Sequence, residues 1–222
     1  MKGKLIVFEG VEGAGKTTQM QRLIHLLQAS CFQKVPLLAT REPGGTELGK
    51  GLRHLLLKQD AGESVSDRAE LLMYAADRAQ HVETCLKPEL LKGTIVLCDR
   101  FTDSTIAYQG YGRGLNLNLI KQLNDIATGG LQSDLTLWLD INVEAGLARV
   151  KARGGCDRIE QADLEFHRLV QQGFADLARE NKSRIVRINA DRTEYEVAQE
   201  IQAIVTRKLE DWGYSNNINS EK

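Results

Sequence analysis

Residues Gly10-Val11-Glu12-Gly13-Ala14-Gly15-Lys16-Thr17, followed by Thr18, carry the spacing G-x-x-x-x-G-K-[ST]. Glycines at this density let the backbone curl so that its N–H groups converge on phosphate oxygens, and the N-terminus of a following helix adds positive potential. Lys16 is then placed to reach terminal phosphates, and Thr17 to offer its hydroxyl to magnesium. The same glycines do not make a dinucleotide fingerprint, because G-x-G-x-x-G begun at Gly13 meets Thr18 where it needs glycine. A GTPase switch is opposed by the absence of any D-x-x-G. Asn181-Lys182-Ser183-Arg184 departs from N-K-x-D at Arg184 and reads as a solvated helix end.

Three other groupings could do chemistry. Tyr74 and Arg78 lie one helical turn apart, so an aromatic face and a guanidinium can address one planar base, although alone they also fit a core aromatic and a surface charge. Asp99 closes an apolar run and precedes Arg100, as expected of a carboxylate near magnesium and a cation near phosphate. Asp140 follows Leu137-Trp138-Leu139 in the same way, so strand ends alone leave the metal role open between the two, with a helix cap the plainer reading of Asp140. Arg149, Lys151, Arg153 and Arg158 surround Gly154-Gly155 and read as a hinged basic lid or as a solvated helix end.

The elements that must position these groups alternate. Leu5-Ile6-Val7-Phe8 reads as a buried strand, and Met20, Leu23, Ile24 and Leu27 mark the helix after the glycine loop. A second strand is expected over residues 34 to 40, weakened by Pro36, then a turn at Pro43-Gly44-Gly45 and a helix over residues 48 to 57. A long helix should run from residue 67 to about 91, bent or ended by Pro88. Apolar runs at residues 94–97, 135–139 and 185–188 are further strands, and two late helices each bury one face. Strands alternating with helices imply a parallel α/β sheet.

Composition narrows the class. The chain has 222 residues, 42% hydrophobic and 27% charged, which suits one domain with an insertion and excludes collagen, disorder and disulfide mini-scaffolds. A formal net charge of −1 gives no global field for nucleic acid or an anionic membrane, so any anion needs a local site. Cys31, Cys85, Cys98 and Cys156 form no C-x-x-C pair, which fits reduced cytoplasmic thiols, with Cys98 a buried small hydrophobe. The four consecutive apolar residues near the N-terminus are too few for a signal-peptide core or a membrane span. Residues 213–222 are polar and rich in Asn and Ser, and read as a frayed tail beyond a domain of residues 1–212.

Beyond the phosphate loop the chain resembles the thymidylate kinase family over essentially its whole folded length. The motifs that carry the resemblance are Glu12 in the loop, Thr40-Arg41-Glu42-Pro43-Gly44-Gly45-Thr46, Tyr74 with Asp77-Arg78, Asp99-Arg100-Phe101, Ser104 with Tyr108-Gln109-Gly110, and Arg153-Gly154 with Asp157-Arg158-Ile159-Glu160. The resemblance implies a P-loop nucleoside monophosphate kinase fold, a five-stranded parallel sheet flanked by helices, with a mobile lid near residues 149 to 161 and a homodimer. It implies transfer of phosphate from ATP, with Mg2+, to dTMP. Residues Gly10 to Thr18 would cradle ATP, and Thr17 and Asp99 would hold the metal. Tyr74 and Arg78 would take thymine, whose O4 accepts from an arginine where cytosine presents an N4 donor. Arg41 and Arg100 would hold the dTMP phosphate, Glu12 would reach the 3′-hydroxyl, and Tyr108 would crowd the 2′ position. Arg53, Ser104, Thr105 and Gln109 would line the same pocket, with Thr105 standing where relatives carry Asn.

The nucleophile would then be a phosphate oxygen, mostly ionised at pH 7 because its second pKa is about 6, so no catalytic histidine is required. Catalysis falls to positioning and to cations, Lys16 and Arg100 among them. One branch of the family carries a basic residue in the loop directly after the acidic one. Here that place is Gly13, so the resemblance points to the lid, to Arg153 first with Arg149 and Arg158 behind it. Other nucleoside monophosphate kinases and a nucleotide-dependent switch or ATPase are the rival readings.

Overall fold

The computed structural model describes residues 2–58, 65–154 and 157–214. Five parallel strands form one sheet in the order β2-β3-β1-β4-β5: β1 (Lys4–Glu9), β2 (Leu37–Arg41), β3 (Ile95–Asp99), β4 (Leu135–Asp140) and β5 (Ile185–Asn189). This is the expected α/β sheet. The helices are α1 (Lys16–Gln28), α2 (Glu47–Leu57), α3 (Asp67–His81), α4 (Lys87–Leu91), α5 (Thr102–Thr105), α6 (Leu117–Thr128), α7 (Val143–Arg153), α8 (Leu164–Glu180) and α9 (Glu194–Asp211).

The central strands β1, β3 and β4 are buried on both faces because helices cover both, and alternate side chains go to opposite sides. Ile6, Phe8, Ile95 and Leu97 join a large core with α1, α8 and α9, while Leu5, Val7, Val96 and Cys98 pack on Val82, Leu86 and Leu90. Chain order reverses around β1, which lies between β3 and β4. Phe8 and Arg41 both pair with Asp99, so the carboxyl ends of β1, β2 and β3 stand side by side at the crevice where such sheets bind ligands.

Local physics moved several boundaries. β2 starts at Leu37, after Pro36, which has no N–H to give the ladder but whose carbonyl accepts from Ile95 N at 2.8 Å. Pro88 does not end the long helix. A wide π turn over Val82–Leu86 interrupts the hydrogen-bond ladder first, so Pro88 enters at the start of α4, where a missing N–H is tolerated. Asp140 caps no helix: it pairs with Arg187 and accepts from Gln171, while Asn142 caps α7. Arg184 is not a solvated helix end, because its guanidinium forks onto the buried Asp103 at 2.6 and 2.9 Å. Gly213 and Tyr214 are not frayed, since Tyr214 is buried and its hydroxyl donates to the Lys2 carbonyl. The remainder of the expected tail, residues 215–222, and Gly155 and Cys156 within the expected lid lie outside the described residues.

Candidate active site

The glycine loop leaves β1 and enters α1 as the spacing requires. Gly13 and Gly15 have φ of 72° and 90°, the left-handed region that glycine tolerates, and no side chain caps α1. Lys16 is buried, and its ammonium donates to the carbonyls of Gly10 and Val11 at 2.9 and 3.0 Å. Burial, with the nearby Arg100 guanidinium, lowers its pKa to about 8. Thr17 exposes its hydroxyl at the mouth of the loop and donates to Asp99 Oδ2 at 2.9 Å. A hydroxyl and a carboxylate are hard oxygen donors suited to magnesium. Among the described residues no group of three or more His, Cys, Asp or Glu could hold a metal ion alone.

Arg100 follows Asp99 with a left-handed backbone, φ 71°, uncommon for a residue with a side chain. Its Nη1 donates to the Gly10 carbonyl and to Ser104 Oγ at 3.0 and 3.1 Å, and its Nη2 to Glu12 Oε1 at 2.9 Å. The Tyr108 ring lies under the guanidinium, 4.8 Å from centroid to Cζ, and its hydroxyl donates to the same Glu12 oxygen at 2.6 Å. Burial opposes ionisation of Glu12, but Arg100, His167, Lys16 and Tyr108 outweigh it and hold the carboxyl down at about 2. The buried Nδ1 of His167, on α8, stands 3.4 Å from Glu12 Oε2.

Arg78 is 2% exposed, so it is no surface charge. Its Nε donates to Glu42 Oε2, its Nη1 to Thr105 Oγ1 and Asn124 Oδ1, each at 2.8 Å, and its Nη2 to the Phe101 carbonyl at 3.0 Å. Four of five N–H groups are thereby fixed, and the guanidinium still lines the cleft. Glu42 is itself held by His81, whose other ring nitrogen meets Thr40 Oγ1 at 2.7 Å. Thr105 thus acts through Arg78. Tyr74, half-buried one turn before Arg78, faces the same cleft, and burial raises its phenol pKa. Gln109 lines the cleft with its amide on Glu70 at 2.8 Å. Arg41 is exposed at the end of β2, and Arg53 donates to the Pro43 carbonyl at 3.0 Å; both face the cleft.

The three lid arginines diverge. Arg149 Nη1 reaches the Gly13 carbonyl at 3.4 Å, and the exposed Arg153 pairs with Glu160 at 2.6 Å; both border the cleft. Arg158, expected beside them, is instead drawn away from the cleft by the fully buried Glu70 and by the Leu56 carbonyl at 2.9 Å. Glu70 also accepts from Arg113, and its pKa is lowered although burial opposes this, by Gln109 and the arginines. Glu9, Glu70 and His167 escaped sequence reasoning. Glu9 had a signal, a charge closing an otherwise apolar buried strand; Glu70 and His167 had none.

Tyr74, Arg78, Arg100, Asp99, Lys16, Arg149 and Arg153 line one cleft of about 740 Å³ that extends to Arg192 and Thr193. It can seat two phosphate-bearing ligands end to end, with cations and the Thr17 and Asp99 oxygens between them. The family model that matches the chain, over residues 8–201, is thymidylate kinase. A thymidylate kinase of Trichodesmium erythraeum is 60% identical over 96% of this chain and all of that relative, and one of Cyanothece sp. is 56% identical over 96% and 97%. The crystal structure of thymidylate kinase from Ehrlichia chaffeensis superimposes with a TM-score of 0.73 at 34% identity, covering 92% of this chain and 99% of that one.

Proposed function

The chain belongs to the thymidylate kinase family, and from that premise we propose how its residues perform the ATP-dependent phosphorylation of dTMP to dTDP. It is an enzyme, a phosphotransferase. The observation that carries the assignment is the continuity of the cleft: the loop for a triphosphate and the Tyr74 and Arg78 pocket open on either side of Arg100 and Asp99.

An oxygen of the dTMP phosphate attacks the γ-phosphorus of ATP, the bond to the β,γ-bridging oxygen breaks, and ADP leaves with that electron pair. The loop N–H groups and Lys16 hold the triphosphate. Arg41 and Arg100 hold the acceptor phosphate, with Arg53 beside them, and Glu12 takes the 3′-hydroxyl while Tyr108 closes the 2′ side. Tyr74 stacks on thymine, and the remaining Arg78 N–H meets O4, where cytosine would present a second donor. Thr17 and Asp99 are the residues that would hold Mg2+, which supplies charge neutralisation to the phosphates. Arg153, released from Glu160, is the first choice for the γ-phosphoryl group, with Arg149 next. Arg158 fits better as an anchor of the lid segment than as a catalytic group.

The enzyme acts as a cytoplasmic homodimer on two small-molecule substrates, without nucleic acid or membrane. No described helix is long and apolar enough to cross a membrane. The exposed Leu48 and Leu55 on α2, Leu72 on α3, and Leu119 and Ile126 on α6 give an apolar surface for a second copy. Sedimentation of wild type against Leu72→Glu tests the dimer. The activity is tested by ADP release with ATP, magnesium and, separately, dTMP, dUMP, dCMP, AMP and GMP. Turnover strongest with dTMP supports both the transfer and the base pocket; preference for another monophosphate removes the pocket assignment, and turnover indifferent to acceptor removes the kinase reading.

A further inference from the structure

We infer that Glu9 is a positioning residue for phosphate binding: acting through Ser104, its carboxylate fixes the orientation of Arg100. This rests on the proposed role of Arg100 at the dTMP phosphate. Glu9 is fully buried at the end of β1 and accepts three hydrogen bonds, from Phe101 N at 2.9 Å, Ser104 N at 3.1 Å and Ser104 Oγ at 2.6 Å. Phe101 is the N-cap of α5 and its own side chain makes no cap, so Glu9, at the end of the neighbouring strand β1, satisfies orphan N–H groups of that turn. The turn carries Arg100 at φ 71°, a conformation that persists only when its surroundings hold it.

The chemistry of the acceptor matters as much as its place. An ionised carboxylate can only accept, so the Ser104 proton must point at Glu9, which leaves a hydroxyl lone pair facing Arg100 Nη1 at 3.1 Å. The direction of that relay sets the guanidinium edge that remains for a ligand. An amide at the same place would present N–H to Ser104 Oγ and compete with Arg100 for the lone pair. The neighbouring Asp103 is held by Arg184, so it does not compete for the same donors.

The test is calorimetric binding of dTMP and of thymidine, which lacks the phosphate, to wild type and Glu9→Gln. Titrations are run at pH 8, because burial and Asp103 raise Glu9 to about 7. The expected result is dTMP affinity down about tenfold, as for one lost charge-assisted hydrogen bond, with thymidine affinity unchanged. Equal weakening of both ligands, as a merely structural role would give, overturns the inference, and so does no change in either. Should Glu9→Gln fail to fold, Ser104→Ala carries the test, because it cuts the relay while leaving both backbone bonds to Glu9. The same phosphate-confined loss is expected, and a loss shared with thymidine overturns the inference. Wild-type protein that binds dTMP no more tightly than thymidine overturns the reading of Arg100 itself.

Discussion

The hydroxyl of Thr17 donates to Asp99 Oδ2 at 2.9 Å, joining the first turn of α1 to the end of β3 across 82 residues of sequence. The bond holds a pair of hard oxygens together at the mouth of the loop. Asp99→Asn should raise the magnesium concentration for half-maximal turnover about tenfold, as loss of a ligand or its orienting partner typically does. Magnesium titrations of ADP release check this; a lower kcat with an unchanged magnesium requirement would take Asp99 out of the metal site.

Arg153 is exposed and pairs with Glu160, so removing it should leave the fold and the dTMP pocket intact. Arg153→Ala is expected to lower kcat by about 10²- to 10³-fold with little change in KM for dTMP, the pattern of a contact made only in the transition state. Steady-state kinetics decide between it and Arg149, whose substitution should take over the effect if Arg153→Ala leaves kcat unchanged.

Arg78 and Glu42 are both almost fully buried and bonded to each other. Arg78→Ala strands a buried carboxylate and should cost about 3 to 5 kcal/mol of stability, measurable by urea unfolding. Tyr74→Phe, by contrast, should keep stacking and leave dTMP turnover near wild type.

Two buried carboxylates act on stability with opposite signs. Glu12, held at about 2 against its usual 4.5, contributes stability that is present above pH 4.5 and lost as pH falls toward 2. Glu9, raised from 4.5 to about 7, binds its proton more tightly when folded, so its contribution is full below pH 4.5 and lost as pH rises through 7. Urea midpoints across pH should therefore flatten at the acid end in Glu12→Gln and near neutrality in Glu9→Gln. Identical profiles in wild type and both variants would contradict the assignment.

Lys16, lowered to about 8, should regain its full charge when phosphates replace the loss of water around it. Triphosphate binding at pH 8 is expected to take up about half a proton, read as a dependence of calorimetric heat on the ionisation enthalpy of the buffer.

The phosphate loop was fully legible in the sequence because its chemistry is contiguous, eight residues that need only a strand before and a helix after. The parallel sheet was legible too, since its central strands β1, β3 and β4 are nearly continuous apolar runs. What escaped was pairing over distance. Arg158 reads as one more lid cation until Glu70, from another helix, is seen to hold it, and Asp140 reads as a cap until Arg187 of the neighbouring strand takes it. Single carboxylates such as Glu9 and Glu70 carry no spacing, and their partners are fixed only by the fold. Pro88 is expected to bend or end the helix, and the ladder is interrupted just upstream of it, by the widened turn.

Gly13 lies so close to Gly146 of α7 that a Cβ on Gly13 would stand 2.1 Å from the Gly146 carbonyl oxygen, and one on Gly146 would stand 2.4 Å from that of Glu12. Neither position can accept a side chain while the other backbone stays where it is. A basic side chain in the loop at Gly13 is therefore not one substitution away: α7 would have to give way as well.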